Sequence, residues 1–112
     1  MRQYELGLEG ERLAEDYLRL RGFRVLARRY RSPHGEIDLV ASKGRLLYFV
    51  EVKYRRAGRL GEGLMGISPQ KRAHLKQAIR HYLQRGPRPY RLAYLEITRA
   101  GILFKEDVLH EN

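Results

Sequence analysis

The chain has 112 residues and a strongly unequal charge, with 23 basic residues, 13 acidic residues and a formal net charge of +10 at pH 7. This length predicts one domain over residues 1–112, large enough to bury a single hydrophobic core. Because the chain contains no cysteine, a disulfide framework, thiolate catalysis and cysteine-bound zinc are excluded, and a cytoplasmic location is expected. No apolar run is longer than a strand, which argues against a membrane protein. The positive charge predicts a polyanionic partner.

The first predicted element is a helix over residues 4–21, which ends at Gly22. Its predicted buried stripe consists of Leu6, Leu13, Ala14, Tyr17, Leu18 and Leu20. Glu11 falls along this stripe near the helix start, whereas Glu15 and Asp16 are expected away from it. Glu11 is therefore a candidate site acid, although the helix macrodipole also favours an acid at this end of a helix.

A short first strand is predicted at residues 23–27, and a basic cluster follows it. This cluster contains Arg28, Arg29 and Arg31 around an aromatic residue, Tyr30. Arginine side chains form bidentate hydrogen bonds to phosphate groups, so these residues are candidate contacts to a nucleic-acid backbone.

The next stretch reads as a β-hairpin, because residues 43–44 are short, polar and able to adopt positive φ. A turn centred there predicts that Glu36 lies opposite Glu51 and Asp38 opposite Phe49, with all four on one face. Asp38 and Glu51 would then be diagonal neighbours, about 7 to 8 Å apart at Cα. The second hairpin strand is apolar on both faces, so it is expected near the centre of the sheet.

Asp38 together with Glu51-Val52-Lys53 is the most informative pattern in the chain. Carboxylates beside a lysine on a central strand are costly unless they are paired or bind a cation. One explanation is a hydrated cation shared by Asp38 and Glu51. The other is a partly exposed salt bridge of Lys53 with Glu51 or Glu36, which would carry no functional meaning.

Residues 55–67 form a predicted glycine-rich loop that carries Arg55, Arg56 and Arg59 and is placed to wrap a ligand. Ser68 and Pro69 then open a second helix as N-cap and first-turn proline. The predicted buried face of this helix consists of Ala73, Leu75, Ala78, Ile79, Tyr82 and Leu83. Strands are expected at 90–98 and 102–104, so the order is α-β-β-β-α-β with a β-rich tail.

Two other sequence patterns, a dinucleotide-binding motif and a pair of histidines, give little support for a functional site. Residues 61–66 match GxGxxG, but no strand leads directly into this motif and no helix begins within it. His74 and His81 are seven positions apart on the second helix but lack an obvious third ligand, so solvated or packed histidines are expected in place of a zinc site.

Three segments of this chain resemble the small bacterial YraN-like family, within the PD-(D/E)XK or restriction-endonuclease-like nuclease superfamily. They are Gly7-x-x-Gly10-Glu11-x-x-Ala14, Gly35-Glu36-Ile37-Asp38-Leu39-Val40 and Phe49-Val50-Glu51-Val52-Lys53-x-Arg55, together with Lys71 early in the second helix. The superfamily's α-β-β-β-α-β core matches the predicted order. Two departures are Ile37, where the superfamily often has proline, and Ala93, where YraN-like proteins often carry an aspartate.

The resemblance implies a metal-dependent endonuclease with Glu11, Asp38, Glu51 and Lys53 as catalytic residues. Asp38, Glu51 and the carbonyl of Val52 would bind Mg²⁺ or Mn²⁺, with Glu11 acting through water or at a second metal site and Glu36 assisting. Lys71 and Arg72, with the arginines named above, would hold the nucleic-acid backbone.

By analogy with archaeal Holliday-junction resolvases, the substrate would be branched or damaged DNA, and a homodimer is an open possibility. The competing hypothesis is a nucleic-acid-binding protein that keeps the nuclease fold without catalysis.

Overall fold

The computed structural model describes residues 3–55, 59 and 68–106, with side chains described from Glu9 onward. The elements are α1 (Gln3–Leu20), β1 (Arg24–Ser32), β2 (Gly35–Lys43), β3 (Leu46–Tyr54), α2 (Pro69–Leu83), β4 (Tyr90–Thr98) and β5 (Gly101–Glu106). This order confirms the predicted α-β-β-β-α-β core with an additional β-strand at its end.

The five strands form one mixed sheet in the order β1-β2-β3-β4-β5. β3 and β4 are parallel and are connected through α2, whereas the other neighbouring pairs are antiparallel. The prediction that β3 is central is confirmed. Its side chains alternate between two hydrophobic clusters, with Tyr48 and Val50 on one face and Leu47 and Phe49 on the other.

The two helices cover opposite faces of the sheet. Ala14 and Leu18 of α1 pack on the face that contains Val50, which we call the α1 face. Leu75, Ala78 and Ile79 of α2 pack on the face that contains Phe49, which we call the α2 face. In the described part of the chain, no helix is long and apolar enough to cross a membrane.

Both helix boundaries follow the expected local chemistry. After α1, Gly22 has φ 89°, and the amides of Gly22 and Phe23 donate to the carbonyls of Arg19 and Leu18, the pattern of a glycine-terminated helix. At the start of α2, the Ser68 hydroxyl accepts a hydrogen bond from the Lys71 amide, N to Oγ 3.1 Å. Ser68 is thus the predicted N-cap.

Two glycines allow the helices to approach the sheet closely. A Cβ on Gly10 of α1 would lie 2.6 Å from the Cβ of Tyr54, and a Cβ on Gly35 of β2 would lie 2.2 Å from the carbonyl oxygen of His74. Atoms that are not bonded do not approach this closely. Gly35 therefore allows the first half of α2 to lie directly over the start of β2.

Several predicted boundaries were wrong. β1 extends through the basic cluster to Ser32, because a nine-residue β2 pairs along it from Arg24 to Ser32. β5 is likewise longer than predicted and spans Gly101–Glu106.

Four predictions about burial were also wrong. Leu13, predicted in the buried stripe of α1, is 37% exposed. Leu20 is 89% exposed because it ends α1 beyond the packed stripe. Ala73 is exposed, since the buried face of α2 runs through Leu75, Ala78 and Ile79. Glu15 was expected away from the sheet, but it is only 6% exposed.

Candidate active site

The predicted hairpin register was wrong, but the predicted shared face was right. The turn consists of Gly44 and Arg45, because Lys43 pairs with Leu46 and Gly44 supplies the positive φ of 62° at the first turn position. Paired residue numbers therefore sum to 89 and not to 87. This change of two keeps Asp38 and Glu51 on one face, as predicted, whereas Ile37 packs beside Phe49 and not on the opposite face.

The strands β2 and β3 separate at Asp38. The last pair in their ladder is Leu39 with Val50. Beyond it, the carboxylate of Asp38 accepts a hydrogen bond from the Val52 amide, N to Oδ2 2.8 Å. The side chain of Asp38 is thereby held against β3 at the point where the two strands diverge.

A cleft of about 290 Å³ opens at this fork, between the sheet and α2. It is lined by Gly35, Glu36, Asp38, Glu51, Lys71, His74 and Leu75. The cleft unites the two predicted metal-binding acids with Glu36, as the sequence suggested. The participation of His74 was not predicted, although its position three residues after Lys71 on the same helix face was visible in the sequence.

Asp38 occupies an environment that disfavours its charge. Burial, together with the negative charge of Glu51, raises the pKa of Asp38 to about 8, and the hydrogen bond from Val52 only partly opposes this increase. The Lys71 charge also lowers this pKa, whereas the Glu11 charge raises it. Two neighbouring carboxylates in a partly buried cleft are a typical arrangement for binding a cation.

Lys71 supplies the positive charge nearest to the acids. Its ammonium forms an ion pair with Glu51, whose side chain is 5% exposed, whereas that of Lys71 is 52% exposed. Burial lowers the pKa of Lys71, but its hydrogen bond to Glu51 and the charges of Glu51, Asp38 and Glu36 outweigh this effect, so the pKa is raised. The sequence predicted Lys71 as a backbone contact and did not predict that it would pair with Glu51.

The other two predicted catalytic residues lie at the edge of this arrangement. Lys53 follows Glu51 on the same face of β3 and is exposed. Glu11 of α1 accepts a hydrogen bond from Arg29, Nε to Oε1 2.8 Å, and is near enough to influence the pKa of Asp38. Arg29 has φ 48°, a left-handed conformation that is uncommon outside glycine and often found at functional sites.

A buried polar network adjoins the cleft on β4, and the sequence reasoning missed it. Glu96 is fully buried. Its Oε1 accepts hydrogen bonds from the Tyr94 hydroxyl at 2.7 Å and from Nη2 of Arg55 at 3.2 Å. Burial and the hydrogen bond to Glu96 raise the pKa of Tyr94, which pairs with Glu51 in the β3–β4 ladder. The available signal was a lone glutamate among the apolar residues of β4.

The predicted nucleic-acid contacts occupy different environments. Arg28 donates to both carboxylate oxygens of Glu15, from Nε at 2.7 Å and from Nη2 at 2.5 Å, which explains why Glu15 can be buried. Arg31 lies 3.7 Å from Glu36 with its side chain 75% exposed.

The remaining predicted contacts lie around the loop and at the start of α2. Arg55 is turned toward Glu96 and also donates to the carbonyl oxygen of Arg59 at 2.8 Å. Arg72 is half-buried in the first turn of α2. Arg56 and the GxGxxG segment at 61–66 lie outside the described residues.

The donor set at the fork fits a hydrated divalent cation. Carboxylate and carbonyl oxygens are the ligands that Mg²⁺ prefers, and Mg²⁺ in proteins commonly keeps several waters beside one or two carboxylates. Within the described ranges, no three His, Cys, Asp or Glu side chains are grouped closely enough to hold a metal ion. Asp38 and Glu51 would therefore provide two carboxylates, and water would complete the coordination.

The mixed sheet, its two covering helices and the acids on β2 and β3 define a restriction-endonuclease-like α/β fold. Residues 10–102 match the family described as "Uncharacterised protein family UPF0102". The chain belongs to this YraN-like family, which is part of the restriction-endonuclease-like nuclease superfamily.

Its similarity to other family members is extensive. It is 45% identical over 84 residues to a UPF0102 protein of Syntrophomonas wolfei, covering 75% of this chain and 73% of the relative. It is 32% identical over 112 residues to one from Caldicellulosiruptor saccharolyticus, covering 100% and 95%. A third relative, from Nitrosococcus oceani, is 47% identical over 79 residues, covering 70% and 64%.

Proposed function

We propose that this protein is a divalent-cation-dependent endonuclease that hydrolyses phosphodiester bonds, with DNA preferred over RNA and branched or damaged DNA as the preferred form. The observation that carries the proposal is the convergence of Asp38 and Glu51 at the fork between β2 and β3, in a cleft that also contains the ammonium of Lys71. A protein that only bound nucleic acid would gain nothing from acids that repel phosphate at this position.

The residues of the cleft and its edge would have separate roles in the reaction. Asp38, Glu51 and the Val52 carbonyl would hold Mg²⁺ or Mn²⁺, with Glu11 acting through water and Glu36 assisting. When bound, such a cation lowers the pKa of a water molecule and neutralises charge on the phosphoryl oxygens. Lys53 would orient the attacking water or stabilise the developing negative charge.

The hydrolysis balances without a further reactant. The oxygen of the attacking water forms a bond to phosphorus, and the water loses a proton to solvent. The bond from phosphorus to the leaving oxygen breaks, and that oxygen takes up a proton. The net charge of +10 supports binding to the polyanionic backbone, with an affinity that falls as salt increases.

The proposal is tested by incubating the purified protein with linear, nicked, flapped and four-way DNA and with RNA, in Mg²⁺, Mn²⁺ or EDTA. We expect cation-dependent cleavage that Asp38→Asn and Glu51→Gln each reduce by about 10²-fold or more. Asp16→Asn is a matched control, because Asp16 is an exposed acid on α1.

Absence of cleavage of every substrate, or cleavage that is unchanged in both cleft variants, would overturn the enzyme proposal. Binding that falls steeply with salt but is never followed by cleavage would instead support a non-catalytic nucleic-acid-binding protein.

A further inference from the structure

We propose that Lys71 is a catalytic residue that contacts the scissile phosphate, and that it leaves Glu51 when a divalent cation binds beside that carboxylate. This inference rests on the proposed function and adds a residue of α2 to the set carried by the β2–β3 hairpin.

The position of Lys71 is fixed by contacts at both ends of its helical turn. Its amide donates to the Ser68 hydroxyl, which caps the start of α2. One turn later, the backbone of His74 lies against Gly35 so closely that a Cβ on Gly35 would be 2.2 Å from the His74 carbonyl oxygen. The helix therefore holds the backbone of Lys71 beside the cleft, and its half-exposed side chain reaches Glu51.

Local helix energetics do not explain a lysine at this position. The first turn of α2 contains no acidic residue, and a cation near a helix N-terminus is disfavoured by the macrodipole. The ammonium is stabilised by the cleft, through its ion pair with Glu51. It is half-exposed, so it can move away from Glu51 without leaving a buried unpaired ammonium.

The formal charges favour a lysine in the cleft. Asp38 and Glu51 carry at most two negative charges, which a divalent cation would neutralise, and Glu36 lies 3.7 Å from Arg31. A phosphodiester group adds a further negative charge. Lys71 lines the cleft and would neutralise this charge, whereas Lys53 is an exposed residue of β3 that does not line the cleft.

Competition between the Lys71 ammonium and the cation for Glu51 can be tested without measuring cleavage. Because Lys71 and the cation compete for Glu51, Lys71→Met should lower the dissociation constant for Mn²⁺ by about threefold or more. Binding is measured by isothermal titration with Mn²⁺ in the absence of DNA. Lys43→Met is the matched control, since Lys43 is at the opposite end of β2 and lies over the Phe23 ring.

A second arm measures binding of a labelled short DNA duplex in EDTA and in Ca²⁺, a cation chosen to limit cleavage. In the wild type, Ca²⁺ should strengthen DNA binding and free Lys71 for the phosphate. In Lys71→Met this strengthening should be reduced, whereas Lys43→Met should retain it.

A third arm compares cleavage rates at saturating Mn²⁺. Lys71→Met should lower kcat by about 10²-fold, and Lys71→Arg should restore part of this loss because it keeps the charge. Unchanged Mn²⁺ affinity in Lys71→Met, or wild-type cleavage by it, would overturn the role of Lys71 and leave the nuclease proposal intact. If the wild type cleaves nothing, the nuclease proposal fails, while the two binding arms still decide whether Lys71 competes with the cation and contacts the backbone.

Discussion

The α1 face and the α2 face of the sheet hold their acids under opposite electrostatic conditions. On the α1 face, Glu15 accepts hydrogen bonds from Arg28 and lies 2.8 Å from Arg19, and the bond to Arg28 lowers its pKa. On the α2 face, burial and the Glu51 charge raise the pKa of Asp38. The first acid is matched by cations from its own fold, whereas the second is not.

This difference distinguishes acids that stabilise the fold from acids that could bind a cation. An acid with two guanidinium partners contributes to the stability of the fold and gains little from an added cation. A pair of acids that share one half-exposed lysine loses stability in the isolated protein and recovers it when a cation binds. We therefore assign the proposed function to the α2 face, and the three predictions below test its contrast with the α1 face.

The largest expected effect concerns the arginine that pairs with a buried acid on each face. Arg55→Met removes a guanidinium group that donates to the fully buried Glu96, which is expected to lower the free energy of unfolding by about 3 to 5 kcal/mol. Arg28→Met is the matched change on the α1 face and should cost much less, because Arg28 is exposed and Glu15 keeps Arg19. Urea unfolding followed by circular dichroism measures both, and equal losses would show that the burial of Glu96 does not set the cost of removing its arginine.

An intermediate effect is expected from the two close-approach glycines. Gly35→Ala and Gly10→Ala should each lower the free energy of unfolding by about 1 to 3 kcal/mol, because the new methyl group overlaps backbone or side-chain atoms. Gly35→Ala pushes α2 away from β2 and draws Lys71 away from Glu51, so this variant should also tighten Mn²⁺ binding, as Lys71→Met does. Titration of Mn²⁺ into both folded variants checks this, and equal affinities would argue against α2 as part of the site.

The smallest expected effect is a pH dependence of protein stability. Its sign is opposite for Asp38 on the α2 face and Glu15 on the α1 face. In EDTA, burial raises the pKa of Asp38 to about 8. The contribution of Asp38 to the stability of the fold is therefore favourable at low pH and is lost as pH rises from about 4 through 8. Asp38→Asn should therefore raise stability by about 1 to 2 kcal/mol at pH 8 and much less at pH 4.

The pKa of Glu15 is lowered, so its contribution is present above its unfolded pKa and is lost as pH falls. Glu15→Gln should accordingly destabilise the protein most at neutral pH. Thermal unfolding across the pH range tests both variants, and stability changes of the same sign at pH 8 would refute the electrostatic contrast.

Much of the fold could be predicted because local patterns determine it. Ser68-Pro69 and Gly22 mark helix ends through backbone chemistry, and the apolar alternation of Tyr48, Val50, Leu47 and Phe49 indicates a central strand. The hairpin turn was misplaced by one residue because both Lys43-Gly44 and Gly44-Arg45 offer the required positive φ. Asp38 and Glu51 nevertheless lie on one face, as predicted, since a register change of two preserves side-chain direction.

What could not be predicted depends on contacts between distant parts of the chain. Glu15 is buried only because Arg28 reaches it from β1, and Lys71 enters the cleft only because Gly35 lets α2 lie against β2. The partnership of Glu96 with Arg55 spans 41 residues. Sequence spacing identified the acids of the candidate site together with Lys53 and Lys71, but not the pairing of Lys71 with Glu51.

The most direct test of the central claim is anomalous diffraction at the manganese edge from crystals soaked in Mn²⁺. We expect one strong peak between the carboxylates of Asp38 and Glu51, with the Lys71 ammonium moved off Glu51. A map without a peak there, in which Lys71 still pairs with Glu51 at saturating Mn²⁺, would contradict it.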